Sequence, residues 1–450
     1  MTHSLHKKPS KRKESLMRPL ISHSKVLHVS ASLVILLAVG ACGNEDGDKP
    51  LNAQEARSDK QRITTPQVAQ SDLAAQVAGN SAFAFDLYQK LRKTSGNLFY
   101  SPHSMSLALA MTHAGARNNT EAEMAQVLGY LPQSRLHAAL NLLDLELAKR
   151  GKGASGTDGQ PFRLHIVNAT WGQKDHRFLP TYLDTLALNY DAGLRLMDFA
   201  TQPEQSRLEI NAWVQRQTED RIKDLLPPNS ITEITRLVLT NAIYFNASWK
   251  TPFDPDATAT ETFTTQAGQQ VQVPMMNGSL NASYLKGADF AAAALPYDGD
   301  EISMLIIVPD AGKLDSVEAS LDSAKVQTIV TGLARSELRL KLPKFEFETP
   351  LLLKDHLQAL GIKDAFSTTA ADFSGIDGSR ELSIGQVIHK AFVKVDEAGT
   401  EAAAATAVVM PGSATPNPPK TLHVNRPFIF LIRDHATNAV LFVGRVVDPS

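Results

Sequence analysis

The chain contains serine, histidine and aspartate in number, but not in the arrangements that perform catalysis. No G-x-S-x-G turn presents a serine nucleophile, and no H-E-x-x-H helix presents paired metal ligands. The only cysteine is Cys42, so neither an internal disulfide nor a cysteine-based metal site can form. The glycine-rich run from Gly151 to Gly159 lacks the G-x-x-x-x-G-K-[ST] spacing, and no strand leads into it. It reads as a solvated loop. Lys149, Arg150 and Lys152 beside it form a small basic cluster, either a solvated face or a contact for a polyanion. Enzymatic turnover, a cofactor and a bound metal are therefore not expected.

Two stretches point to chemistry done on the chain rather than by it. The first is Val39-Gly40-Ala41-Cys42, which follows a basic opening and the short apolar run Leu33 to Val39. The run is too short to span a bilayer comfortably and ends in small residues, as an export signal does. Small residues before a lone cysteine resemble the bacterial lipoprotein signal, in which the cysteine is acylated after cleavage. Val39 departs from that motif, which more often has Leu. Residues 1–41 read as this signal, with Met17 as an alternative start to Met1. The second stretch is Glu397-Ala398-Gly399-Thr400-Glu401-Ala402-Ala403-Ala404-Ala405-Thr406. Four alanines behind a glutamate favour a helix. Gly399 breaks the frame before them, and the Pro-rich run Pro411 to Pro419 behind them is an exposed loop. Either this is a helix with a linker, or a segment of small residues that must fit both a loop and a strand.

The elements that position these stretches are those of a globular protein, with 43% apolar and 20% charged residues. Net charge is −2. Seven of the basic residues lie before Cys42 against Glu14 alone, so the remainder is acidic and no nucleic-acid partner is expected. Residues 42–70 are polar and lack apolar periodicity, which predicts a flexible tether to a domain over 71–450. Phe83, Phe85, Leu87 and Tyr88 open a helical pattern that ends near Gly96. Asn97 to Tyr100 reads as a short strand, and Ser101-Pro102 as an N-cap with proline at the first helical position. Further strands are expected at Leu164–Thr170, Leu237–Phe245, Ile302–Val308, Leu338–Leu342, Phe428–Arg433 and Ala439–Val446. Helices are expected at Leu208–Leu226 and Leu351–Leu360. Mixed elements without regular βαβ alternation give an α+β class.

In this order the chain resembles the serpins from about Asn80 to Pro449. The matching residues are Asn97 to Ser104, Thr240 to Phe245 with Trp249, Leu295-Pro296-Tyr297, Leu342 to Phe345, Ala371 to Gly375, His389-Lys390-Ala391 and Asn425 to Phe430. The resemblance implies a serpin fold of three β-sheets, eight or nine helices and an exposed reactive-centre loop after Glu397. It implies inhibition by suicide: a serine or cysteine protease cleaves the loop, and the loop then enters the main sheet with the protease attached. Glu397, Gly399, Thr400, Glu401, the four alanines and Thr406 match the hinge. In a strand Thr400, Ala402, Ala404 and Thr406 share one face and Glu401 the other. Small residues suit a strand that must slide between packed neighbours. A binding or chaperone protein on the same fold is the alternative, but its hinge commonly carries prolines or bulk that this one lacks.

The resemblance also carries over single positions. Ser101, Ser104, Asn241 and His389 match the polar cluster beneath the sheet that controls strand opening. Ordinary buried polar groups satisfying one another would carry the same residues. Trp249 matches the aromatic where insertion begins, and Lys344 pairs with Glu397 at the top of the sheet in some relatives. The family's spacing from Gly399 places the scissile bond at Ser413-Ala414, with Met410 or Thr415 as alternatives because the segment up to Pro427 is longer than usual. Small residues there imply an elastase-like or subtilisin-like serine protease as partner, and a monomeric inhibitor. With Cys42 acylated, the protein is expected to be exported and lipid-anchored in a bacterial envelope, or otherwise secreted.

Overall fold

Apolar alternation and run length sort the strands into two hydrogen-bonded sheets. The computed structural model describes residues 54–152, 163–400 and 418–450. The first sheet runs β1 (Glu55–Ala56), β4 (Leu194–Met197), β3 (Arg163–Gln173), β5 (Leu237–Ser248), β13 (Gly399–Thr400), β12 (Gln386–Val395) and β11 (Phe345–Leu352). The second runs β14 (Lys420–His423), β10 (Ala334–Pro343), β7 (Gln270–Lys286), β8 (Phe290–Pro296), β9 (Ile302–Pro309), β15 (Phe428–Asp434), β16 (Val440–Val446) and β2 (Leu98–Tyr100). β6 (Ala259–Thr264) pairs with β7 off this path. The third sheet that the resemblance implies is continuous with the second through β7. The first part of that long strand pairs with β6, its middle with β10, and its last four residues with β8.

Among the described residues, nine helices have six residues or more. They are α1 (Gln70–Leu91), α2 (Pro102–His113), α3 (Asn118–Leu128), α4 (Gln133–Leu147), α5 (Pro180–Tyr190), α6 (Pro203–Gln217), α7 (Leu314–Ala319), α8 (Ser323–Gly332) and α9 (Lys354–Leu360). A single turn, α10 (Ser374–Asp377), follows. Every residue of α2 is buried, and the helix packs against β3, β5 and β16. Its start is fixed locally: the Ser101 hydroxyl accepts from the Ser104 amide at 3.1 Å, with Pro102 at the first helical position. The core beside it is aromatic, with Phe99 stacked on Phe442 at 4.9 Å and on Phe430 at 5.6 Å.

Several boundaries differ from expectation. α1 begins at Gln70, upstream of Asn80, because Leu73 and Val77 already bury one face of its otherwise polar first turns. α6 ends at Gln217, since Glu219 and Asp220 adopt φ of 50° and 61°; the buried Ile222, Leu225 and Leu226 lie beyond the helix. Leu351 and Leu352 belong to β11, and α9 starts only at Lys354. The tether is shorter than 42–70. β1 pairs with β4, Ser58 and Lys60 bond Asp184 at 2.6 and 2.7 Å, and Arg62 bonds Asn141 and Asp144 at 2.8 and 2.6 Å. The polar residues that made this segment look solvated are the ones that find partners on α4 and α5. Two members of the basic cluster are likewise engaged: Lys149 bonds Glu146, and Arg150 bonds Asp434 at 2.6 Å. Residues 153–159 of the glycine-rich run lie outside the described residues.

Candidate functional site

The site is a seam in the first sheet. β5 and β12 pair in parallel from Val238↔Gln386 up to Tyr244↔Phe392. Above that point they part, and β13 lies between them, antiparallel to both. Thr400 faces Ala247 on one side and Val395 on the other, and Gly399 faces Ser248. A Cβ on Gly399 would overlap the Ala247 carbonyl oxygen, so close backbone approach, rather than a left-handed conformation, is what requires glycine here.

The chain entering the seam is held on every side. The Asp396 carboxylate accepts from the Ala398 and Gly399 amides at 3.0 and 3.3 Å, while burial pushes its pKa up. Trp249 donates its indole N–H to the Asp396 carbonyl at 3.0 Å and its backbone N–H to the Ala398 carbonyl at 2.8 Å. Its ring stacks on Tyr297 at 4.7 Å, and the Tyr297 hydroxyl bonds the Thr400 hydroxyl at 2.7 Å. Thr400 is fully buried. The Glu397 carboxylate receives Lys344 Nζ at 2.7 Å and the Thr258 hydroxyl at 2.7 Å. Burial alone would raise its pKa, but these two hydrogen bonds outweigh burial and hold it below the usual carboxylate range.

The polar cluster lies under the closed part of the seam. Asn241 and His389 are register partners across β5 and β12, and Asn168 faces Asn241 from β3. The Ser101 amide donates to His389 Nε2 at 3.3 Å, so the imidazole proton sits on Nδ1, where it is donated to Asn241 Oδ1. The Asn241 amide donates to Ser104 Oγ and Asn168 Oδ1, and the Ser101 hydroxyl donates to the Leu441 carbonyl at 2.7 Å. Burial lowers the His389 pKa to about 3, so the ring is neutral. One network thus ties β3, β5, β12 and the start of α2 together where β5 and β12 are paired.

Sequence reasoning did not single out Asn168, Thr258 or Asp396. Asn168 carried a readable signal, as an amide within the apolar run of β3; Thr258 acts through Glu397, far away in sequence, and Asp396 through a short turn onto the Ala398 and Gly399 amides. Glu401, Ala402, Ala403, Ala404, Ala405, Thr406, Met410, Ser413, Ala414, Thr415 and Cys42 lie outside the described residues. The chain is described again from Pro418, and β14 pairs in parallel with β10.

A family model described as "Serpin (serine protease inhibitor)" matches residues 78–449. An uncharacterised serpin-like protein of Thermococcus kodakarensis is 36% identical over 425 residues, covering 92% of this chain and 97% of its own. Leukocyte elastase inhibitor A of Mus musculus is 37% identical over 386 residues, covering 83% of this chain and 99% of its own. Among solved structures, the thermophilic serpin tengpin in its native state superposes with a TM-score of 0.77 at 28% identity, over 88% of this chain and 100% of that one.

Proposed function

We propose, for a chain that belongs to the serpin family, that it inhibits a serine endopeptidase by inserting its cleaved loop into the seam between β5 and β12. The observation that carries this reading is β13, which already occupies the top of the seam in strand register with both neighbours. Continuing that register downward sets Ala402 between Phe245 and Val393, Ala404 between Ile243 and Ala391, and Thr406 between Asn241 and His389. Glu401 falls between Asn246 and Lys394, with its carboxylate on the lysine's face of the sheet. The slot ends opposite Leu237, where Met410 arrives, which leaves Ser413 just past the end of the sheet. The small residues of the hinge therefore meet the positions with least room, and Thr406 brings a hydroxyl to the amide and imidazole whose mutual bond insertion breaks.

Small residues around Ser413-Ala414 favour an elastase-like or subtilisin-like target with a shallow primary pocket. Acylation of Cys42 would place the inhibitor at a bacterial envelope; mass analysis of the mature N-terminus, with Cys42→Ser as comparison, tests the anchor. Inhibition is tested by mixing the protein with pancreatic elastase and with subtilisin. A detergent-stable adduct supports it, and digestion of the loop with both proteases left active refutes it. Cleavage without a gain in thermal stability would instead favour a binding or chaperone role on the same fold.

A further inference from the structure

A cleft of about 340 Å³ opens between β7, β8, β9, the end of α8 and the end of β15, apart from the seam. Its most buried charged group is Arg433, only 8% exposed and opposite Ser303 in the ladder. The Arg433 guanidinium donates one hydrogen bond to a side chain, to Asn438 at 2.8 Å, and among the described residues it forms no salt bridge. The next residue, Asp434, is engaged by Arg150 at 2.6 Å and by the Thr437 hydroxyl at 2.6 Å. Asp300 is the carboxylate on the cleft wall, and it is bonded to Lys250. Arg335 lines the same cleft from the start of β10. His435 lies at its edge with Nδ1 on the Asp300 carbonyl and Nε2 on the Ser303 hydroxyl, both at 2.8 Å.

Charges this deep are ordinarily paired, and a guanidinium left without a counter-charge disfavours the folded state. Burial acts in that direction on Arg433, lowering its pKa, with Asp434 the one carboxylate that opposes the shift. The charge therefore favours a mobile anion, and a planar fork of N–H donors selects an oxyanion. The volume exceeds that of an inorganic ion, and Val330 and Leu333 of α8 add an apolar wall.

We propose that this cleft is an oxyanion-binding site, with Arg433 as the buried cation, Arg335 and His435 at its rim, and a phosphate, sulfate or carboxylate head as ligand. The proposal stands independently of inhibition, because its readout is binding. Inorganic phosphate, sulfate and acetate are each titrated into the full chain against chloride at matched ionic strength, by calorimetry; the three arms separate tetrahedral from planar heads. Saturable one-to-one binding is expected for at least one anion. Arg335→Ala should weaken it about tenfold, the loss of one charge-assisted contact. Arg433→Met should abolish it while making the anion-free protein more resistant to urea than the parent. Where Arg433→Met does not fold, Arg335→Ala combined with His435→Gln carries the test. Absence of saturable binding, or binding that these variants leave unchanged, overturns the proposal.

Discussion

Replacing Ala404 by glutamate tests the insertion register at its midpoint. Continuation from Thr400 sets residue 404 between Ile243 and Ala391, which are 1% and 0% exposed. A carboxylate carried there is stranded among apolar side chains, at a cost of about 3–5 kcal/mol. Insertion exchanges one ladder of seven registered pairs for two longer ones. That is a net gain of roughly ten hydrogen bonds, on the order of 10 kcal/mol. The glutamate thus leaves insertion downhill overall but raises a barrier partway, slowing it between about a hundredfold and a few thousandfold. An acyl-enzyme delayed that long is hydrolysed, and the inhibitor becomes a substrate. The assay is titration of an elastase-like protease, reading moles of inhibitor consumed per mole of protease and the amount of detergent-stable adduct. Parent protein should consume close to one equivalent; Ala404→Glu should consume many and leave no adduct. Glu401→Gln, on the opposite face beside Lys394, should behave as the parent. Undiminished inhibition by Ala404→Glu, with failure of Glu401→Gln, would refute the register.

Acid should destabilise the fold through its buried histidines. Burial lowers His389 and His137 to about 3 and His103 and His113 to about 4, all below an ordinary histidine, so the unfolded chain takes up the protons first. Stability is complete above pH 6.5 and falls as pH drops from there toward 4, by up to about 1.4 kcal/mol per pH unit for each imidazole. Urea midpoints measured from pH 7.5 to 5 should show that decline, and His389→Asn should flatten it by about one proton; a flat profile for the parent would contradict the burial argument. Lys344→Ala leaves the Glu397 carboxylate, 10% exposed, with Thr258 alone. The loss should be about 1 kcal/mol, read as faster hydrogen exchange at the Ala398 and Gly399 amides with the α2 amides unchanged. Arg62→Ala removes the bonds to Asn141 and Asp144. It should lower stability by about 1–2 kcal/mol and expose residues 57–63 to limited proteolysis, whereas unchanged protease resistance would show that the segment is not held by these contacts.

What the sequence revealed divides by the range of the forces involved. The Ser101-Pro102 cap and strand β2 before it were legible, because their signals lie within a few residues of one another. The hairpin of β15 and β16 was legible for the same reason, with Asn438 at φ 62° in its turn. The docked segment 54–69 was not, since its order comes from partners on α4 and α5, Asp184 lying well over a hundred residues away. The hinge is the mixed case. Propensity alone pointed to a helix, and only the ordered likeness to a family turned Glu397–Thr406 into a strand-forming segment. The structure adds to that likeness the register partners of Gly399 and Thr400, the Asp396 turn that aims them, and Asn168 in the cluster below. The Asp396 turn is local, but no local pattern encodes the register partners or Asn168, because those contacts join strands that meet only after the sheet has formed.

The central claim is that cleavage drives the loop into the seam while the protease is still attached. The most direct measurement is to incubate the full chain with pancreatic elastase, denature the mixture in hot detergent, and map the surviving adduct by mass spectrometry. The account predicts a one-to-one covalent species joined through the Ser413 carbonyl, with Glu401–Met410 protected from a second protease. Free, fully active elastase beside a chain cut in this loop, with Glu401–Met410 digested by the second protease, would contradict it.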